Sequence, residues 1–340
     1  FSKSLLFYIH THSDANTPYT ITLNKQDGTV LKTLVDNQAL TERMNEYAIG
    51  KKEFFNFSTS QGVDLNAWII KPVDFDSTKK YPIIEYVYPG PQTESVNKSF
   101  SKGMDRIDRL AQLGFVVVTL GNRGGHPARS KWYHNYGYGN LRDYGLADKK
   151  AAVEQLADRF KFIDIDRVGI HGHSGGGFMS TAAMLVYPNF FKVAVSSAGN
   201  HDNSVYNRWW SEQHHGVKEV IGDKGDTSFL YSIEKNPDLA KNLKGHLMLS
   251  HGDIDNNVHP SNTIRMANAL IKANKRFDLV ILPGQRHGYG DMTEYFFWRQ
   301  ADYFAEHLLG DRTSRSATEI EEMTKEMEQS NKAATGGRRN

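Results

Sequence analysis

Three stretches of this 340-residue chain carry side chains suited to nucleophilic catalysis. The first is "HGHSGGG", His171 to Gly177, in which Gly172-His173-Ser174-Gly175-Gly176 fits G-x-S-x-G. A serine hydroxyl is a weak nucleophile until a base removes its proton, and the base needs an orienting acid. The second stretch, "LMLSHGDIDNNVH", offers Asp253 and Asp255. The third, "VILPGQRHGYG", offers His287 followed by Gly288. Their order along the chain, serine then acid then histidine, is that of an α/β-hydrolase. Chemistry alone does not choose between Asp253 and Asp255.

The flanks separate a nucleophile elbow from an ordinary flexible glycine loop. "RVGIHG" before Ser174 is β-branched and apolar, and "GFMSTAAMLVY" after it favours helix. The serine is thus expected on a sharp turn between strand and helix. There, small residues permit close packing and the helix N-terminus favours developing negative charge. Both partner stretches follow apolar strand patterns. Acid and base are therefore expected at the carboxyl edge of one sheet.

The wider pattern supplies that sheet. "PIIEYVY", "GFVVVTL", "RVGIHG", "KVAVSSA", "GHLMLSHG" and "FDLVILPG" are strands. Helices are expected over 100–113, 141–160, 176–186 and 294–309, by apolar spacing. Strands alternating with helices predict a mostly parallel, doubly wound sheet, and with the elbow and the residue order above the expected fold is an α/β-hydrolase. "EFFNFSTSQGVDLNAWIIKP" predicts a hairpin around Gln61-Gly62. "LLFYIHT", "YTITLN" and "KQDGTVLKTL", the last with an Asp27-Gly28 turn, predict a small antiparallel sheet with no helix to cover it. The domains expected are 1–45 (small β unit and connector), 46–310 (catalytic) and 311–340 (a charged, disordered tail).

Composition narrows the function. A formal net charge of +2 without a long basic block argues against a nucleic-acid partner. Apolar runs such as Phe115 to Leu120 are strand-sized, so no membrane span is expected. With no cysteine, thiol catalysis, disulfides and thiolate metal sites are excluded. No metal or organic cofactor is implied. His10 and His12 alternate on a strand without a third ligand, as on a solvent-facing strand. His214 and His215 are expected in a polar surface loop, and His251 and His259 as structural supports of the acid loop. The chain opens on Phe1 without a leader and is expected to be a mature or trimmed piece.

Taken together, "YPIIEYVYPGP", "GNRGG", "DRVGIHGHSGGGFMS", "LKGHLMLSHGDIDNNVHP" and "PGQRHGY" resemble the prolyl oligopeptidase family of serine peptidases, in its dipeptidyl peptidase IV-like branch. The resemblance runs roughly from Glu53 to Leu309. It implies Asp255 as the acid and His287 as the base. It implies Tyr88 and the backbone N–H of Gly175 as the oxyanion donors. Asn257, Val258 and Tyr206 are implied as substrate contacts. Phe1 to Val35 would then be the last blade of an upstream β-propeller that closes over the site. A peptide substrate, a homodimer and a periplasmic or extracellular setting are implied in the same way.

The sequence also departs from that pattern. Many such relatives carry an aromatic directly after the nucleophile, where this chain has Gly175. Asp202 stands where an aromatic would help enclose a proline ring. A wider or more polar pocket is expected, with Trp209 and Trp210 either compensating from nearby or serving as ordinary core residues. A serine exopeptidase is the expected function. An esterase using the same triad is the alternative, and a catalytically silent interaction module is disfavoured because every triad member is present.

Overall fold

A computed structural model describes residues 1–90, 93–100, 106–230 and 233–312. The expected tail over 311–340 lies outside these residues apart from Asp311 and Arg312. The first strands, β1 (Phe7–His12), β2 (Thr20–Lys25) and β3 (Val30–Val35), form an antiparallel three-stranded sheet, followed by α1 (Gln38–Asn45). Asn16 ties this sheet to the next unit through a bond from its Nδ2 to Lys52 O and one from Lys52 N–H to its Oδ1.

The main sheet is built from β4 (Glu53–Ser58), β5 (Asp64–Ile70), β6 (Tyr81–Tyr86), β7 (Val116–Leu120), β8 (Ile163–His173), β9 (Phe191–Ser197), β12 (His246–Gly252) and β13 (Asp278–Leu282). Its order is β13-β12-β9-β8-β6-β7-β5-β4. Neighbours from β13 to β7 pair in parallel, while β5 and β4 turn back antiparallel. This is the mixed, mostly parallel sheet expected from the alternating pattern.

Side-chain alternation assigns the two faces. Ile83, Val116, Val118, Ala194, Leu247 and Leu249 face a core shared with α4 (Leu146–Arg159), α5 (Gly175–Val186) and α7 (Ser261–Lys272). Ile84, Val117, Val193, Val195 and Met248 face the other, shared with α2 (Arg106–Ala111) and α8 (Thr293–Phe304). Such double covering explains why β7 is buried without a break, Thr119 included, rather than at alternate residues.

Several elements differ from expectation. The described part of the 100–113 helix is only α2, and residues 101–105 lie outside the description. The closing helix ends at Phe304 and loosens into a π-turn over Ala305–Leu309, where Arg167 Nη1 donates to Leu308 O at 3.2 Å. Between β9 and β12 the chain makes an unforeseen excursion: α6 (Arg208–His215), then a hairpin of β10 (Lys218–Ile221) and β11 (Thr227–Leu230). A short α3 (Lys131–Asn135) is likewise unforeseen, because it is too brief to show a period. Among the described residues no helix is long and apolar enough to cross a membrane.

Among the described residues two ion pairs are buried, Arg123 with Asp148 at 2.7 Å and Lys149 with Glu85, and the second is the more enclosed. Lys149 on α4 reaches Glu85 on β6 at 3.4 Å, and both are fully enclosed. Lys149 Nζ also donates to Leu120 O. Burial raises the Glu85 carboxyl to about 7, against the opposing pull of Lys149. An unfolded glutamate ionises near 4.5, so between 4.5 and about 7 the folded chain holds a proton that the unfolded chain has lost. Stability therefore falls as pH rises through that window and levels off above it. Denaturant melts are expected to show Glu85→Gln losing about 1–3 kcal/mol less than the parent between about pH 5 and about pH 8; equal losses in both proteins would refute this.

Candidate active site

The turn holding Ser174 is set by backbone contacts. Val87, just past β6, donates its N–H to His171 O at 2.9 Å. Its carbonyl then lies against the elbow. A Cβ on Gly172 would meet Val87 O at 2.3 Å, and one on Gly176 would meet it at 2.2 Å. A Cβ on Gly177 would meet Ser197 O at 2.4 Å on the opposite side. Ser174 is held between β6 and β9 at φ 59°, ψ −121°, a conformation strained for any residue with a side chain. Its N–H donates to Ser197 O at 2.8 Å, and its carbonyl accepts from Phe178 N–H at 3.0 Å, starting α5. The hydroxyl is thus presented at the N-terminus of a buried helix.

The carboxylate that meets His287 belongs to Asp255, in the loop after β12. Its Oδ2 accepts from His287 Nδ1 at 2.7 Å. The same oxygen meets His251 Nε2 at 3.2 Å, while Oδ1 accepts from the backbone N–H groups of Asn257 (2.8 Å) and Val258 (3.0 Å). Four donors saturate a carboxylate that is only 2% exposed. The tautomer of His251 follows from its partners. Its Nε2 also faces Val258 O at 2.7 Å, and a carbonyl and a carboxylate can only accept. Nε2 therefore carries the proton and Nδ1 accepts from Thr263 Oγ1 at 2.7 Å. Burial lowers the His251 pKa and keeps it neutral. Its bonds to Thr263, Asp255 and Val258 brace the acid loop, the supporting place expected of it. Asp253 instead accepts Gly284 N–H at 2.6 Å, on the exposed side of the same loop.

Because His287 donates Nδ1–H to Asp255, its Nε2 is left as the basic nitrogen. The ring packs on His173, centroids 4.7 Å apart, one residue before Ser174. Behind His173 stands the buried Tyr289, whose hydroxyl pairs with Ser250 Oγ at 2.9 Å. Tyr88, after β6, borders the same cavity as Ser174 and Gly175. Its loop is fastened by Ser95 Oγ donating to Tyr88 O at 3.0 Å. Pro91 of the "YPGP" segment lies outside the described residues.

Of the remaining expected residues, Tyr206 lines this cavity and donates its hydroxyl to Asn257 Oδ1 at 3.2 Å. Burial, then Tyr88 and Asp255, push the Tyr206 pKa upward, so it stays a donor. Val258 contributes its N–H to Asp255, and its side chain is buried. Two expectations are corrected. Asp202 does not polarise the pocket: it is buried elsewhere, accepting from Ser204 N–H (3.1 Å) and Arg265 Nη1 (3.1 Å). His214 and His215 are not surface residues. They end α6 and pack beneath Trp210, with ring centroids 4.8 and 6.4 Å from it. Burial lowers both pKa values, that of His215 to about 4, so both are neutral imidazoles. Sequence spacing missed them because α6 is a short helix whose apolar face is made of Trp and His.

A model of the prolyl oligopeptidase family matches residues 101–311. Human dipeptidyl peptidase 8 is 31% identical over 290 residues, covering 83% of this chain and 32% of its own length. Dipeptidyl peptidase 4 of Trichophyton rubrum is 29% identical, covering 80% of this chain and 35% of its own. The chain thus spans about a third of the length of these curated relatives. The crystal structure of Porphyromonas gingivalis dipeptidyl peptidase 4 superposes with a TM-score of 0.80 at 31% identity, covering 91% of this chain and 43% of that one.

The elbow contacts make a paired prediction. Gly172→Ala must push Val87 O aside and is expected to cost about 3 kcal/mol or more in urea unfolding. Gly175→Ala meets nothing nearer than Pro89 O at 3.8 Å and is expected to unfold within about 1 kcal/mol of the parent. Equal stability of the two variants would contradict the geometry.

Proposed function

The chain belongs to the prolyl oligopeptidase family, and from that premise we propose that it is the catalytic part of a serine exopeptidase that releases dipeptides from peptide N-termini. The observation that carries this reading is the 2.7 Å bond from His287 Nδ1 to a saturated, buried Asp255, with the imidazole against the Ser174 elbow. Ser174 Oγ attacks the peptide carbonyl as His287 Nε2 takes its proton. Asp255 stabilises the imidazolium without taking that proton. Tyr88 hydroxyl and Gly175 N–H donate to the oxyanion. His287 then returns the proton to the leaving amine, and water cleaves the acyl-enzyme by the same steps. His251 keeps the Asp255 loop in place so that this geometry is preset.

Asn257, tied to Tyr206, is proposed to hold a substrate carbonyl, with Val258 packing beneath. The small sheet of β1 to β3 fits the closing blade of a propeller, and recognition of the substrate's free amine is assigned to such a unit. That recognition is what makes the enzyme an exopeptidase rather than a general amidase.

Ser174→Ala is expected to abolish turnover of a dipeptidyl arylamide with its fold intact by circular dichroism. Retained turnover would remove Ser174 from its role. Tyr88→Phe is expected to lower kcat by about 100- to 1000-fold with KM little changed. In the full-length protein, a free-amine dipeptidyl arylamide is expected to be cut while its N-acetylated twin is not. Equal cleavage of both would replace the exopeptidase by an endo-acting peptidase.

A further inference from the structure

Beside Ser174 lies a cavity of about 300 Å³. Its near wall is Tyr88 and Gly175, and its far wall is α6 with Trp210 and His214. A Cβ on Gly175 would find only Pro89 O at 3.8 Å, so the space over the nucleophile is open. Proline's short ring would leave much of this volume unfilled. Among the described residues that line it, none is Asp, Glu, Lys or Arg, so a charged side chain entering it would lose water without gaining a counter-ion.

The wall is nonetheless polar. Asn200 and His214 both line the cavity, and they are 4% and 2% exposed. Asn200 Oδ1 and His214 Nδ1 are buried with no hydrogen-bond partner. The Asn200 amide is held from behind: its Nδ2 donates to Asn203 Oδ1 at 2.5 Å, and Asn203 Nδ2 pairs with His215 Nε2 at 3.2 Å. Burial, then His134, lowers the His214 pKa, leaving a neutral ring. An apolar substrate side chain would leave both atoms unpaired. A carboxamide carries a donor and an acceptor together, so it can pair with the Asn200 amide whichever way that amide is turned, with His214 as a further partner.

We propose that this cavity takes, at the residue whose carbonyl Ser174 attacks, a carboxamide side chain, glutamine or asparagine, in place of proline. Asn200 is the specificity-determining residue and His214 its second. The inference rests on the peptidase reading above.

The test measures kcat/KM of the full-length protein on H-Ala-Xaa-arylamides with Xaa as Gln, Met, Pro or Glu, alongside fluorophosphonate labelling of Ser174. Gln and Met have similar length and isolate the hydrogen bonds. Gln is expected to exceed Met by at least about tenfold, with Pro and Glu below both. Asn200→Leu is expected to bring Gln down to the level of Met while labelling stays intact. Gly175→Tyr, which fills the cavity from the side of the nucleophile, is expected to cost Gln and Met at least about tenfold relative to Pro. Gln no better than Met, or Pro above both, with normal labelling, overturns the inference and leaves the peptidase standing. Labelling and ester hydrolysis without cleavage of any arylamide overturns the peptidase reading itself.

Discussion

The site depends on one approach of backbone to backbone, that of Val87 O to Gly172 and Gly176. At 2.3 and 2.2 Å from any added Cβ, no side chain fits between β6 and the elbow. This closeness lets the start of α5 sit over the sheet edge and keeps Ser174 in a positive-φ turn it would not adopt alone. It also joins the two candidate oxyanion donors. Tyr88 follows Val87 directly and Gly175 follows Ser174, so the strand that confines the elbow also carries the tyrosine.

The electrostatics follow a similar economy. Asp255 would be costly to bury as a bare charge. Backbone N–H groups of its own loop, His251 and His287 satisfy it completely. Of the two imidazoles that meet it, His251 is fully enclosed and His287 keeps 22% of its side chain exposed. In the proposed mechanism, His287 is then the imidazole that moves the proton. The loop, the acid and the tautomer of the base are fixed by the same small set of bonds.

Most of this architecture was legible in the sequence because its cause is local. Strand-sized apolar runs specify buried parallel strands, and the glycines at 172, 175 and 176 signal a tight turn, although only 172 and 176 of these prove sterically crowded. The order of Ser174, the aspartates and His287 specifies a hydrolase edge. Spacing alone could not separate Asp253 from Asp255, since both follow the same strand and only the curl of the loop decides which faces the imidazole. The burial of His214 and His215 was illegible for another reason. A histidine's place depends on what covers it, and Trp210 and Tyr138 cover His214 through contacts set by tertiary packing. Asp202 was misplaced by the same route: Arg265, far along the chain, draws it off the cavity.

The excursion between β9 and β12 has an evolutionary consequence. It carries the pocket wall on α6, whereas serine, acid and base stand on turns gripped by the sheet. Its β10–β11 hairpin forms a separate two-stranded sheet. On the proposed reading, substitutions and insertions there can redraw which residues are accepted while Ser174, Asp255 and His287 are inherited unchanged. Descendants of such a scaffold can diverge in diet without relearning the reaction.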